Sequence, residues 1–178
     1  MRKLIAALSL AFTFAAPAAA QGVMADMHTD LNDVQKKVLD LAKAIPESSY
    51  DWRPAPGVRS IRELLLHVAA DNYLIPIFMG KAAPAATGIT SDFASAGAYE
   101  KRTVGKDQLV ADVEASFIHL HQALALTTDA NLSATVKMFG QDFTRHRASL
   151  LAVTHLHEHL GQFIAYARSN NVTPPWSR

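Results

Sequence analysis

The chain contains no cysteine among its 178 residues. That absence removes several chemistries at once. No disulfide can staple the fold, no thiolate can act as a nucleophile, and thiolate zinc sites are impossible. Any metal must therefore be held by His, Asp or Glu. A lipid-modified N-terminus is excluded too, because that attachment needs a cysteine at the cleavage site. Covalent haem attachment through Cys-x-x-Cys-His fails for the same reason, and nothing else in the chain supports a haem-binding bundle. Clustered positive charge is also missing. Without a run of Lys or Arg to track a phosphate backbone, nucleic-acid binding is disfavoured. No internal repeat and no linker long enough to divide the chain is present.

Hydrophobic residues make up 49% of the sequence, and the first twenty positions hold an unusual share. Met1, Arg2 and Lys3 form a short basic start, Leu4 to Phe14 an apolar run, and Ala15 to Ala20 a small-residue stretch. Ala18-Ala19-Ala20 fits the small-x-small rule of signal peptidase, which predicts a signal peptide over 1–20 and cleavage before Gln21. The apolar run is too short to span a bilayer once Pro17 is counted against it, so no stable membrane anchor is expected after cleavage. Removing Arg2 and Lys3 from the 17 basic residues leaves 15 against 16 acidic ones, about −1 in place of +1. The remaining 21–178 is the size of one self-supporting domain. The expected location is the periplasm or the medium.

Four helical stretches account for most of that domain. Met24, Met27, Leu31, Val34, Val38, Leu41 and Ile45 recur at alternating three- and four-residue spacing, the seam of a bundle helix, which Pro46 ends. Ser60-Ile61-Arg62-Glu63 reads as a capping box that opens a second helix through His67, Asp71 and Leu74 to about Met79, with Pro76 expected to kink it or end it early. Residues 80–104, rich in Ala, Ser, Thr and Gly, read as a long connection with at most short helical turns, a crossover or a lid. A third helix is expected over about Lys106 to Thr127 and a fourth over about Phe143 to Ser169, stopped by Asn170-Asn171. A strand is not excluded in Ser133 to Met138. The fold class is all-α.

Helical phase sorts the eight histidines. His155 and His159, four apart, lie about 40° apart around the helix axis. They share a face with Ala148, Leu151, Ala152, Gln162 and Tyr166, the buried side, whereas His157 points to water. Two imidazoles at this spacing can meet one ion at roughly 2.0–2.1 Å. Two core histidines with hydrogen-bond partners would show the same spacing. His67 points inward with Leu64, Asp71 and Leu74, and a third inward imidazole completes a three-histidine face with one open position, the catalytic zinc pattern. His119 and His121 fall on the flank or surface of the third helix, and His28 and His146 carry no partner pattern. Glu63 is assigned to capping. Asp71, one turn after His67, is open to three roles: weak ligand, orienter of a bound water, or general base. A solvent-facing acid is the fourth reading.

Three blocks then resemble the DinB/YfiT-like family over about Leu31 to Ser177. They are Trp52-Arg53-Pro54 through Ser60-Ile61-Arg62-Glu63-Leu64 to His67, then His155-Leu156-His157-Glu158-His159-Leu160-Gly161-Gln162, and finally Asn171-Val172-Thr173-Pro174-Pro175-Trp176. The resemblance implies an up-down-down-up four-helix bundle with a long crossover connection. It also implies a histidine triad for a divalent metal, which falls on His67, His155 and His159. Leu160 departs from the Arg often found before the Gly-Gln pair. Several relatives are thiol-dependent transferases or isomerases, and an exported member would meet little cytosolic thiol.

Two functions compete on this sequence. In the first, a divalent ion, zinc before nickel or iron, activates water or a substrate donor for hydrolysis or group transfer on a small molecule. Asp71, Gln162 and Tyr166 are then the candidates to orient the reacting group. In the second, the same ligands form a closed, non-catalytic metal-binding or sequestering site of the cell envelope. Apolar helix faces are compatible with a homodimer.

Overall fold

Residues 22–177 are described by a computed structural model, and the leader expected over residues 1–20 lies outside them. Five helices appear in this span: α1 (Val23–Ala44), α2 (Ile61–Phe78), the short α3 (Phe93–Glu100), α4 (Lys106–Leu124) and α5 (Arg145–Ser169). α1 and α2 each pack against both α4 and α5, which places them on opposite corners of a four-helix bundle. The all-α bundle expected from the periodicity is the observed architecture.

Local chemistry explains where each long helix begins and ends. On α1 the residues Met24, Met27, Leu31, Val34, Val38 and Leu41 are all buried. Ile45 continues that seam into the core, yet its backbone is already extended (φ −72°, ψ 129°) because the residue before a proline avoids the helical region. α2 starts on a complete capping box. The Glu63 amide donates to Ser60 Oγ (3.2 Å), and the Ser60 amide donates to Glu63 Oε2 (2.7 Å). Pro76 does not end α2 early. It sits in the last turn, where the amide it lacks removes only one late ladder bond. Gly80 then takes φ +97°, and the Lys81 amide reaches back to the Pro76 carbonyl (2.9 Å), a Schellman stop. Asn171 (φ 61°) closes α5 in the same way, with the Val172 amide on the Ala167 carbonyl at 2.9 Å. A buried bond from Asn72 Nδ2 to Ser116 Oγ (3.0 Å) ties α2 to α4.

The structure departs from the sequence reading in three places. First, the connection after α2 contains a full eight-residue helix, α3, whose N-cap Asp92 accepts the Ala94 amide at 2.9 Å. It packs along α2. Its Ala- and Gly-rich sequence carries too little apolar periodicity to announce a helix. Second, β1 (Thr135–Met138) pairs antiparallel with β2 (Gln141–Thr144), so α5 begins at Arg145 instead of Phe143. Thr144 caps α5 by accepting the Arg147 amide at 3.1 Å. The hairpin turn is Phe139-Gly140, both at positive φ (54° and 75°), the backbone of a type I′ turn. Asn-Gly would have advertised it; Phe-Gly does not.

Third, His119 is buried at 6% exposure, not on the flank of α4. Its ring lies 5.3 Å from that of Tyr73, and its Nε2 has no partner among the described residues. Burial, reinforced by the Lys81 charge, holds this imidazole below its ordinary range. In acid the unfolded chain then binds a proton that the folded chain resists. The stability this group contributes is complete above about pH 6.5 and declines as pH falls through that value. Urea midpoints of the metal-free protein should fall between pH 7 and pH 5. His119→Phe should make that decline shallower, by at most about 1.4 kcal/mol per pH unit. An unchanged slope would refute the assignment.

Candidate metal centre

α2 presents His67 and Asp71 one turn apart, and α5 presents His155 and His159 one turn apart, on surfaces that face each other. The three imidazoles offer one ring nitrogen each, all within 4.8 Å of one another, and are positioned to hold a metal ion. His67 Nε2 lies 3.0 Å from His159 Nε2. The rings stand nearly perpendicular, His67 to His159 at 90° and His155 to His159 at 89°. Stacking would blunt such convergence; edge-on rings aim their nitrogens at one point.

The outer nitrogens decide the protonation of the inner ones. His67 Nδ1 donates to Glu100 Oε1 at 2.7 Å, and His159 Nδ1 donates to Gln162 Oε1 at 3.2 Å. In a neutral ring that bond takes the single N–H and leaves Nε2 an acceptor. With both rings neutral, the two Nε2 lone pairs 3.0 Å apart suit a cation, since two tetrahedral ligands 2.0–2.1 Å from one ion would stand ~3.4 Å apart; with one ring protonated, the same pair shares a hydrogen bond. Carboxylate support behind a ligating imidazole is the usual way its tautomer and orientation are held.

Electrostatics favour the same state. Burial, with the charges of His155 and His67 adding to it, keeps the His159 imidazole below its ordinary range against the opposing Gln162 bond. The neutral ring is the metal-binding form. For Glu100, burial pushes the carboxyl up. The hydrogen bond and charge of His67, with Arg59 (Nε to Oε2 3.0 Å), outweigh it, so the carboxyl lies below its ordinary range.

All six residues singled out from the sequence fall in this region, in different positions. Asp71 Oδ2 sits 2.7 Å from His155 Nε2 and 3.4 Å from His67 Nε2, on the inner side of the cluster. Gln162 and Tyr166 sit on the outer side. Gln162 Nε2 donates to the Tyr166 hydroxyl (2.8 Å), which packs its ring edge-on to Trp52 at 5.3 Å. They brace His159 from behind. His157 is exposed and bonds the Val153 carbonyl, and Glu63 is consumed by the α2 cap. Glu100 and Arg59 were not legible in the sequence. Glu100 ends α3, 33 positions from His67, and no spacing rule links a crossover helix to the imidazole it touches.

Hollows on two sides border the cluster. The larger, about 690 Å³, is lined by Arg53, Arg59, Lys101 and Glu63 and meets the cluster only through Glu100 and Gln162. It lies behind the rings, where no lone pair is free. The smaller, about 150 Å³, reaches Asp71 and His155, on the side where the nitrogens converge.

Fold and site together define a class: a four-helix bundle with a crossover helix and a three-histidine cluster between its second and last helices. The sequence profile of the DinB superfamily matches residues 30–163, and the chain belongs to that superfamily. Among solved structures, a DinB-like protein from Bacillus cereus is similar with TM-score 0.70 at 14% identity, over 87% of this chain and 97% of that one. A conserved protein from Enterococcus faecalis is similar with TM-score 0.66 at 17% identity, over 84% and 97%. A DinB-like protein from Bacillus subtilis gives 0.60 at 20% identity, over 83% and 93%. At such identities the likeness speaks to the fold. A search of curated proteins finds no match.

If Glu100 holds the His67 tautomer, Glu100→Gln should weaken zinc binding by about 10–100-fold in competition with a chelator, with helix content unchanged. Arg59→Ala, one contact further out, should cost less. Equal affinities for Glu100→Gln and wild type would show that the carboxylate is only a surface ion-pair partner.

Proposed function

We propose that His67, His155 and His159 bind one divalent transition-metal ion, zinc first, and that the protein is a metal-dependent hydrolase or transferase acting on a small molecule. One observation carries this reading: the Nδ1 atoms of His67 and His159 each lie against an acceptor oxygen, so in the neutral rings the Nε2 lone pairs face each other across a gap suited to a cation. Such an ion, when bound, supplies Lewis-acid chemistry that polarises a carbonyl or phosphoryl group or lowers the pKa of a nucleophile.

The chain's own groups do the rest. His155 donates from Nε2 to Asp71 as it stands, so ligation through that nitrogen frees the Asp71 carboxylate. Asp71 then borders the small hollow beside His155 and can accept a proton from an attacking group there. Gln162 and Tyr166 hold His159 without touching that hollow.

A second reading rests on the same carboxylate. Because Asp71 Oδ2 approaches both His155 and His67, it can close the shell as a fourth ligand and make the site a sequestering one. Elemental analysis separates the cases. The purified protein should retain about one metal equivalent, and His67→Ala and His159→Ala should lose it; retention by both variants would sink the assignment. Asp71→Asn should keep the metal in the open, catalytic site and release it readily in the closed one.

Export belongs to the same proposal and is supported by the basic, apolar and small-residue pattern of Met1 to Ala20. Intact mass of the protein expressed in a Gram-negative host should correspond to a chain beginning at Gln21 in the periplasmic fraction. A full-length chain confined to the cytoplasm would refute export.

A further inference from the structure

The hollow beside Asp71 and His155 is walled by apolar side chains from four different elements. Leu74 and Ile75 come from α2 and Leu151 from α5, while Phe93 of α3 and Phe139 of the hairpin tip stand at its rim. The two rim phenylalanines are 5.4 Å apart between ring centres, and Phe78 lies 5.2 Å from Phe139. Neither is there for the core. Phe93 is 57% exposed and Phe139 39% exposed, so each leaves much of its apolar surface in water.

Phe139 carries a further cost. Its φ of 54° is the first position of a two-residue hairpin turn, where Asn, Asp or Gly is favoured and a bulky side chain is strained. A local rule broken at the mouth of a site is the pattern expected when the side chain serves the site. The half-open hollow measures about 150 Å³, a volume that in a closed apolar cavity accepts a benzene ring. Its one polar end is Asp71 and His155.

Resting on the metal-site reading above, we infer that this cavity takes a ring-sized apolar group of the substrate and that Phe93 and Phe139 set that preference. The reacting polar atom of such a substrate reaches the Asp71 and His155 end, while the ring lies between Leu74, Ile75, Leu151 and the two phenylalanines. The basic hollow behind the histidines, lined by Arg53, Arg59 and Lys101, does not open on that end and takes no part.

The test uses three probes on the purified chain. Toluene, which has no metal-binding atom, is titrated into metal-stripped protein and followed by methyl NMR; shifts are expected at Leu74, Ile75 and Leu151. Benzohydroxamate and acetohydroxamate are titrated into zinc-loaded protein, and the phenyl compound is expected to bind at least about tenfold more tightly, or ~1.4 kcal/mol. Phe139→Asn installs the favoured Asn-Gly turn while removing the ring. It should keep the fold, with an unchanged or higher urea midpoint, yet bring the two hydroxamates towards equal affinity, as should Phe93→Ala. No toluene shifts at those methyls, or equal hydroxamate affinities in the wild type, would overturn the inference while leaving the metal site standing. An undiminished preference in both variants would overturn the role of the phenylalanines. Failure to load zinc while toluene still shifts the same methyls would sink the metal reading alone.

Discussion

Imidazole nitrogens that point at one another are what this structure is arranged around. His67 and His159 bring Nε2 atoms to 3.0 Å while their outer nitrogens are held by Glu100 and Gln162. Remove those acceptors and either ring can turn over, present its N–H inward, and close the gap with an ordinary hydrogen bond. The burial of His159 acts in the same direction, since a ring kept from water resists the proton that would occupy its lone pair. Orientation and protonation of the cluster are therefore properties of its surroundings more than of the three histidines.

Topology explains why the connection between α2 and α4 is long. The two helices run parallel: Arg62 at the start of α2 bonds the Val104 carbonyl just before α4, and Arg145 reaches both Met79 and Leu126 at their far ends. The chain must therefore return along the whole of α2, about 27 Å at 1.5 Å per residue, before α4 can begin. α3, capped by Asp92, lies on that return path along α2, and its last residue, Glu100, meets His67 from outside the bundle. Arg59, just before the α2 cap, holds the other oxygen of that carboxylate.

The opposite side of the cluster is built by conflict with local preference. At Phe139 turn chemistry asks for Asn or Gly, and at Phe93 a surface helix asks for a polar residue; both positions carry phenylalanine beside the same hollow. Elsewhere local and global demands agree, as in the Ser60 capping box, the Gly80 and Asn171 stops and the α1 seam. Apolar residues such as Ile118 and Leu150 are exposed elsewhere, and it is the positive φ of Phe139 beside the hollow that sets this rim apart from the scaffold.

Periodicity, caps and stops are short-range signals, and for that reason the four long helices could be read from the chain alone. The inward phase of His67, His155 and His159 followed from the same 3.6-residue repeat, which places a side chain on a face whatever lies opposite. What lies opposite was decided by packing. Glu100 is 33 residues from His67, and Asp71 is 84 residues from His155. Contacts over such separations leave no trace in spacing. The same holds for His119, which phase placed on a flank and which Tyr73 and its neighbours cover. The hairpin was hidden because its turn lacks the residue that usually marks one. A single helix could specify which face its histidines occupy; only the assembled bundle could specify which of their nitrogens keep a lone pair, because that depends on acceptors contributed by α3 and by the next turn of α5.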